Sequence, residues 1–455
     1  MRNFSWFKTV SAAPLAVYRI GFGLLMLFST IRFISKGWVQ EIYIDPAFHF
    51  SYYGFEWLPY PTPSVLYLLF ALMILGAVLI TLGLFYRFGA TLFFLTFTYV
   101  ELLDKTNYLN HYYFVSLIAF LMIWLPANRY FSLDAKLGRC TASDSVPLWS
   151  IRILQFQIAA VYIFAGIAKL ETDWLIHAQP LKYWLHTAHH WEYIGNFLKQ
   201  EWVAYAFAWA GCIYDLTIVL FLSIQKTRKF AYMAVIVFHL MTWLLFPIGV
   251  FPWVMMFATT IFFSAHFHEK IIRILKKIIG DTKTPSSVVV SFPSQRLKKV
   301  TTAFLGVYIM IQIILPFRYL LYEGDLFWSE QGYRFSWRVM LMEKSGHATF
   351  YVKDKKSGIQ TEVENRDFLT PNQEKMMSTQ PDMILQFAHH LEDVYRDTVI
   401  TQYGVDMKFE EPEVYAEVYV ALNARPHQLM VDKKHNLAAI SNDLTERNWL
   451  SPYNR

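Results

Sequence analysis

The first two thirds of the chain consist of long apolar runs separated by short polar loops. A bilayer core roughly 30 Å thick requires about 20 mostly apolar residues per spanning helix. The runs that approach this length cover approximately residues 14 to 34, 64 to 85, 88 to 103, 111 to 126, 147 to 168, 202 to 224, 230 to 246, 251 to 265 and 301 to 321. The third, fourth and eighth are short. The pattern predicts a polytopic α-helical membrane protein with about nine transmembrane helices.

The last third of the chain shows a different pattern, in which apolar and polar residues alternate as they do in strands. Residues 347 to 352 and 359 to 363 predict a hairpin around a KDKKSG turn. An amphipathic helix is expected over 381 to 403, where apolar residues recur at helical spacing behind a Pro-Asp start. Two further strands are expected at 413 to 423 and 428 to 432. These elements predict a small α+β domain.

The change of pattern divides the chain into two domains. Residues 1–321 are expected to form a transmembrane helical domain that carries the active site, and residues 322–455 a C-terminal α+β extramembrane domain. A linker containing Pro and Ser at 281 to 295 precedes the last apolar run.

Composition and charge support the membrane class and predict the topology. The 455 residues are 55% hydrophobic but only 17% charged, whereas soluble domains carry roughly 25% charged residues. The net charge of +6 is concentrated in the loops around 226 to 229 and 270 to 299, which the positive-inside rule places in the cytoplasm. The N-terminus is then cytoplasmic and the C-terminal domain external. The clustering of basic residues in these loops is explained by the topology, so the positive charge does not indicate a nucleic-acid partner.

Ionisable residues inside apolar runs are the first candidates for chemistry, because they are costly there and usually functional. The alternative for each is a buried pair or a side chain that reaches the membrane interface. The candidates are Arg19, Arg32, Glu101, Arg152, Lys169, Asp215 and His239. No Cys/His array of metal-ligand spacing occurs, so no metal site is expected.

Two polar segments at predicted external ends of helices stand out. LLDKTNYLNHYYF, 102 to 114, places five hydrogen-bonding residues between two apolar runs, which favours a ligand site over a simple solvated loop. They are Asp104, Lys105, Asn107, Asn110 and His111.

The second segment is VYIFAGIAKLETDW, 161 to 174. Its residues Tyr162, Ala165, Gly166 and Lys169 share one helical face. The small residues are expected to leave room for a ligand beside Lys169. A partly buried lysine can act as a neutral general base, although Glu171 and Asp173 would favour its charged form unless they point away.

Together the two segments closely resemble the vitamin K-dependent γ-glutamyl carboxylases and their bacterial relatives with a horizontally transferred transmembrane domain. The matching motifs are DKTxxxNH and VYxxAGxxKLxxDW. Further matches are YRxGFG around Arg19, HLMTWLLFPIGVFPWVMM from 239 to 256, GYRFSW from 332 to 337 and EVYVALNAR from 417 to 425.

The resemblance implies a reaction and a set of site residues. Reduced vitamin K hydroquinone reacts with O2 to give the epoxide, and the strong base formed on the way removes a γ-proton from glutamate, to which CO2 adds. The catalytic lysine of the family falls on Lys169. The resemblance also implies catalytic roles for Asn110 and His111 in quinone and oxygen handling. Cofactor binding is expected from Asp104, Lys105, Tyr162, Gly166, Arg19 and His239.

Two alternatives remain open at the level of sequence. One is a quinone epoxidase without peptide carboxylation, and the other is a non-enzymatic quinone- or lipid-binding membrane protein in which Lys169 only pairs with an acidic residue. The expected partners are the bilayer, a lipid-soluble quinone and possibly a glutamate-containing peptide or protein. The expected location is a bacterial inner membrane with the C-terminal domain in the periplasm.

Overall fold

A computed structural model describes residues 6–187, 194–246, 248–279, 294–396, 399–402 and 405–454. The predicted linker at 281 to 295 falls almost entirely outside these residues. The helices of the first part are α1 Ala13–Ser35, α2 Pro63–Leu82, α3 Tyr86–Leu103, α4 Asn110–Trp124, α5 Leu133–Lys136, α6 Trp149–Ala168, α7 Thr172–Leu175, α8 Leu181–Thr187, α9 Gly195–Leu198, α10 Glu201–Ser223, α11 Arg228–Leu245, α12 Phe251–Ala258, α13 Ala265–Ile279 and α14 Gln295–Ile314. Two short strands, β1 Thr9–Ser11 and β2 Ser145–Pro147, pair ahead of α1 and α6.

Every apolar run predicted to span the membrane is helical. Six of these helices, α1, α2, α6, α10, α11 and α14 with its 3₁₀ extension to Leu321, are long and apolar enough to cross a bilayer. The apolar α4 is shorter, as is α12 with its 3₁₀ continuation to Phe262. Helix α3 carries Arg87 and Glu101 and packs between α2 and α4. The described residues therefore form a polytopic helical domain with six candidate spans.

The basic stretch that begins at residue 270 was expected to be a loop, but its first part is helical. Helix α13 places Ile272 against the start of α1 in a small apolar cluster, whereas Ile274 and Ile278 are exposed. The basic residues of its last turn are Lys276 and Lys277. Apolar residues recur at helical spacing among the lysines, so the segment forms an amphipathic helix beside the bundle.

The C-terminal domain is built on a four-stranded antiparallel sheet. Its elements are α15 Leu326–Ser329, β3 Lys344–Asp354, β4 Gln360–Val363, α16 Pro371–Met377, α17 Pro381–Tyr395, β5 Val399–Gln402, β6 Val405–Lys408, β7 Pro412–Leu422 and β8 Gln428–Val431. The sheet order is β4-β3-β7-β8, which confirms the predicted hairpin and strands. Helix α17 packs on the sheet, and Phe387 meets the buried Phe350 edge to face.

The amphipathic helix of this domain ends earlier than predicted. Helix α17 stops at Tyr395, and residues 399–402 pair with β6 as an antiparallel ribbon. The sequence VITQ is rich in β-branched residues, which favour strands over helices.

Candidate active site

Lys169 follows the last residue of α6 and forms a buried ion pair with Asp215 of α10. Its Nζ donates to Oδ2 of Asp215 at 2.7 Å and lies 3.4 Å from the carbonyl oxygen of Ala165. Lys169 is only 6% exposed and Asp215 only 4%. The indole ring of Trp174 lies 5.4 Å from the ammonium nitrogen. Lys169 and Asp215 were both among the ionisable residues found inside apolar runs, and the structure pairs them across α6 and α10.

Gly166 brings these two helices into close contact. A Cβ at this position would lie 2.8 Å from the side chain and 2.9 Å from the backbone nitrogen of Leu216, next to Asp215. The space beside Gly166 is therefore filled by α10, and Gly166 does not line a ligand pocket as the sequence led us to expect. Because glycine has no side chain, α6 and α10 can approach closely enough for Lys169 to contact Asp215.

A largely apolar pocket of about 850 Å³, counting its open mouth, lies next to the ion pair. Its walls come from α6, α10, α11 and α12, and include Tyr162, Lys169, Asp215, Phe238, His239 and Phe251. Trp174 and Trp184 line the external side. Polar groups are few and converge at one end of an aromatic and aliphatic cavity.

His239 adds a second polar group to the pocket. Its Nε2 is 2.8 Å from the hydroxyl oxygen of Tyr162, so one ring nitrogen is held by α6. The other nitrogen, Nδ1, is buried and has no hydrogen-bond partner within the part of the chain that the structure describes. A buried polar atom without a partner is costly, so this nitrogen is available to a ligand.

A loop of the C-terminal part of the chain closes one side of the pocket. Val339 and Met340 line the cavity. Phe335, Trp337 and Met340 adopt left-handed backbone angles, with φ of 60°, 61° and 53°. Such angles are uncommon outside glycine and are found where packing forces them, often at functional sites. The sequence match GYRFSW marked this segment, but nothing in the pattern identified it as a wall of the pocket.

Asp104 and Lys105 bind the C-terminal domain and are not among the residues that line the pocket. Asp104 accepts a hydrogen bond from Nε2 of Gln373 at 3.1 Å. Lys105 Nζ lies 3.0 Å from Oδ2 of Asp382, which also accepts from Arg334 at 2.6 Å. These contacts place Asp104 and Lys105 at the junction of the two domains, which differs from the quinone-binding role expected for them.

Asn110 and His111 lie closer to the pocket but do not line it. Asn110 Nδ2 donates to the carbonyl oxygen of Arg338 at 3.0 Å, directly before the pocket residue Val339. The His111 ring is buried, and its centroid lies 5.5 Å from that of Phe251, which lines the cavity. The segment 102 to 114 therefore contacts Phe251 and the backbone of Arg338, which adjoin or line the pocket. It does not itself line the pocket that contains Lys169.

The carboxylates next to Lys169 in sequence point elsewhere. Asp173 receives two hydrogen bonds from Arg425, one of them 2.7 Å long, and a third from Asn423 at 2.8 Å. Glu171 accepts a hydrogen bond from the backbone N–H of Asp173 at 3.1 Å. The motif ending in DW is thus tied to the LNAR motif of the C-terminal domain, and Asp215 takes the position beside Lys169.

Arg19 lies at the far end of the bundle from this pocket. Its buried guanidinium donates to the carbonyl oxygens of Ile80 at 2.7 Å, Ala127 at 3.1 Å and Phe131 at 2.6 Å, and also to Thr81. The carbonyls in the last turn of α2 lack the donors found in the helix interior, although that of Ile80 also accepts from the backbone N–H of Gly83 at 3.1 Å. Arg19 donates to these carbonyls, so its described hydrogen bonds join segments of the bundle and lie away from the Lys169 pocket.

Comparison with protein families agrees with this architecture. Residues 7–267 match the model of the HTTM domain. Residues 297–455 match the lumenal domain of vitamin K-dependent gamma-carboxylase. The chain belongs to the gamma-carboxylase-like family of HTTM proteins. No solved structure matches it.

The pocket contains residues from both matched regions. Lys169, Asp215 and His239 belong to the HTTM region, whereas Val339 and Met340 belong to the lumenal-domain region. The apolar helices make this an integral membrane protein, and the family supports a carboxylase-like enzymatic function. Within the described ranges, no group of three His, Cys, Asp or Glu side chains is placed to hold a metal ion.

Proposed function

We propose that this protein is a vitamin K-dependent carboxylase/epoxidase of a bacterial inner membrane, with its C-terminal domain in the periplasm. The observation that carries the proposal is the buried Lys169–Asp215 pair at the polar end of an apolar pocket, in a chain of the gamma-carboxylase-like family. Vitamin K hydroquinone would be the cofactor, and O2 and CO2 the co-substrates.

The residues of the pocket suit such a cofactor. Aromatic and aliphatic walls match a flat naphthoquinone ring with a lipid-like tail. The free Nδ1 of His239 offers a polar contact for a ring oxygen, and Tyr162 holds the imidazole in place through Nε2. When bound, the hydroquinone supplies, by reaction with O2, the strong base that removes the γ-proton of glutamate.

The Lys169–Asp215 pair is the proposed acceptor of the hydroxyl proton. In an apolar surrounding the charged pair loses hydration, which brings the neutral amine and carboxylic acid closer in free energy to the ion pair. A proton on Nζ of Lys169 can then pass to Oδ2 of Asp215, 2.7 Å away. The neutral amine is the general base, and Asp215 stores the proton.

Other residues shape the site and do not take part in proton transfer. The apolar walls exclude water, which would quench a strong base. Asn110 positions the Arg338 carbonyl and thereby the wall formed by Val339 and Met340. His111 supports Phe251 from behind. In this proposal Asn110 and His111 act through other residues and do not touch the cofactor.

The experiment is an assay of purified protein in nanodiscs. Vitamin K hydroquinone is supplied anaerobically, O2 is admitted, and the epoxide is quantified by chromatography. Lys169→Ala is expected to abolish epoxide formation, whereas Lys199→Ala, at an exposed position on the same side of the membrane, should not change it. An unchanged rate in Lys169→Ala would refute the assignment of the base.

Labelled CO2 distinguishes the carboxylase from its first alternative. Transfer of label to a glutamate-containing peptide is expected of the complete reaction. Epoxide without labelled peptide identifies a quinone epoxidase that lacks peptide carboxylation.

A non-enzymatic quinone-binding protein is the second alternative, and the Lys169–Asp215 pair is the observation in its favour, because an ion pair can be purely structural. Saturable binding of the hydroquinone with no O2 consumption by the wild-type protein would establish it.

A further inference from the structure

A second cavity lies at the opposite end of the bundle from Lys169. Including its mouth it measures about 780 Å³. It is bounded by residues around β1, the start of α6, the junction of α10 with α11, and the segment Ile261–Ala265 that leads into α13. Its polar lining distinguishes it from the apolar pocket described above. The polar side chains are Ser11, Arg152, Gln155, Ser223, Arg228 and Ser264.

Two arginines give this cavity a positive charge that no described carboxylate in its lining balances. Arg152 donates to the side-chain oxygen of Gln155 at 2.9 Å. Arg228 donates to the carbonyl oxygens of Leu222 at 2.7 Å and Ser223 at 3.1 Å. All these acceptors are neutral, and both guanidinium groups line the same cavity. Each guanidinium has five N–H donors, so several remain for a ligand.

One carboxylate of the neighbouring helix α13 reaches the edge of the cavity, where it contacts a lining side chain. Glu269 of α13 accepts a hydrogen bond from the hydroxyl of Ser11 at 3.0 Å. It does not form an ion pair with Arg152 or Arg228. The cavity therefore retains an excess of positive charge.

Helix ends add to this charge. Helices α6, α11 and α13 begin at Trp149, Arg228 and Ala265, on the border of the cavity. The N-terminus of a helix carries a partial positive charge, which favours bound anions. Neither α6 nor α11 has a side-chain hydrogen bond at its N-cap.

The position of the cavity relates it to the membrane surface. Helix α6 runs from the cavity to Lys169, whose end of the bundle contacts the C-terminal domain through Asp173 and Arg425. The cavity thus lies at the other, cytoplasmic face. Next to it, α13 exposes Ile274 and Ile278 together with a basic face, as expected of a helix lying in a membrane interface. An anion at this level is most readily a lipid headgroup.

We propose that this cavity binds the phosphate of an anionic phospholipid of the cytoplasmic leaflet, held between Arg152 and Arg228. Two guanidinium groups can clamp a phosphate with charge-assisted, paired hydrogen bonds. The lipid would fix the junction of α10 and α11 against the start of α6. This inference is independent of the function proposed for the Lys169 pocket, because its test requires no turnover.

The test measures binding of spin-labelled phosphatidylglycerol and spin-labelled phosphatidylcholine to the full-length protein in mixed micelles. Wild-type protein is expected to immobilise the anionic lipid at a saturable site and to prefer it over the zwitterionic lipid by at least about tenfold. The double variant Arg152→Gln, Arg228→Gln should lose this preference. Arg273→Gln, which removes one positive charge from the exposed part of α13, should retain it.

One further variant and one competition experiment complete the test. The variant Arg152→Lys, Arg228→Lys keeps the charge and should retain part of the preference, which guards against a folding defect in the glutamine variant. Inorganic phosphate at millimolar concentration should compete only weakly. The lipid assignment is overturned if phosphate displaces the lipid completely at that concentration, if the double glutamine variant binds like wild type, or if Arg273→Gln loses the preference equally.

Discussion

Two buried lysines of this protein, Lys105 and Lys169, each contact an aspartate, and the comparison shows how surroundings decide what a charge pair can do. Lys105 shares Asp382 with Arg334 at the junction of the two domains. Lys169 is the cation that contacts Asp215, and both line the apolar pocket. The Asp382 carboxylate contacts two cations at the junction of the two domains, whereas the Asp215 carboxylate contacts Lys169 and lines a cavity.

The electrostatics of the first pair favour a fixed charge. Burial by itself would raise the pKa of Asp382, but Arg334 and Lys105 outweigh it and hold the pKa well below its ordinary value. Burial lowers the pKa of Lys105, and Asp382 opposes this effect. A carboxylate so strongly held as an anion has a structural role. Asp215 is paired with Lys169 beside the apolar pocket, and the proposed function has these two groups exchange a proton.

The largest expected effect separates the two aspartates by activity. Asp215→Asn removes the proposed store for the proton and should lower the rate of vitamin K epoxide formation by about 10²- to 10⁴-fold, the usual contribution of general acid–base catalysis. Asp382→Asn should leave the rate per folded molecule within a few-fold of wild type. The measurement is the single-turnover rate at saturating hydroquinone. Equal losses in both variants would remove the distinction between the pairs.

The second prediction separates the aspartates by stability. Asp382→Asn leaves Lys105 and Arg334 with less charge compensation, and loss of one partner of a buried pair costs about 3 kcal/mol. The C-terminal domain should then detach more readily, which limited proteolysis of the junction and the thermal midpoint can detect. Asp393→Asn, at an exposed position of the same helix, is the control and should behave like wild type.

A smaller effect is expected from the glycine that brings Lys169 to Asp215. In Gly166→Ala the added methyl group would meet Leu216, so α6 and α10 must separate slightly. Small displacements of catalytic groups are costly, and we expect about a tenfold loss of kcat with little change in KM. Gly306→Ala, which meets no atom within 4 Å, is the matched helical control. A Gly166→Ala enzyme with normal kcat would show that the close approach is not needed.

The last prediction concerns pH and tests the fixed charge directly. The pKa of Asp382 is lower in the folded protein than the ordinary value of about 3.9, so its contribution to stability is present above that value. It is lost as the pH falls from about 4 towards the folded pKa. Susceptibility of the domain junction to an acid-active protease should therefore rise below pH 4 in wild type, and this rise should be weaker in Asp382→Asn. The shifted titration of Lys105 lies at the alkaline end of the scale and does not enter this window.

Much of the fold was predictable because it depends on local patterns. Apolar runs longer than a few helical turns form helices in a membrane, and each predicted run is helical. Alternation along 347–352 and 413–423 likewise predicted two strands, but it did not predict that these two pair with each other. The amphipathic α13 was overlooked because its many lysines and arginines suggested a loop, although Ile271, Ile272 and Leu275 stand at helical spacing.

The candidate site was predictable only in part. Lys169, Tyr162 and His239 line one pocket, and the catalytic role of Lys169 stays a prediction. Arg19 also stood out as a charged residue inside an apolar run, but it binds backbone carbonyls at the other end of the bundle. Polarity inside a membrane segment marks a residue that needs a partner, and it does not indicate whether the partner is a ligand or the protein itself.

The sequence by itself determined which segments form the apolar helices and which lysine lies at the end of α6. These properties follow from hydropathy and helical period, both of which act over a few residues. Tertiary structure alone decided that Asp215 is the partner of Lys169, that Gly166 is packed against Leu216, and that Val339 and Met340 close the pocket. Those contacts join residues far apart in the chain, and their geometry is set by how helices and domains pack against each other.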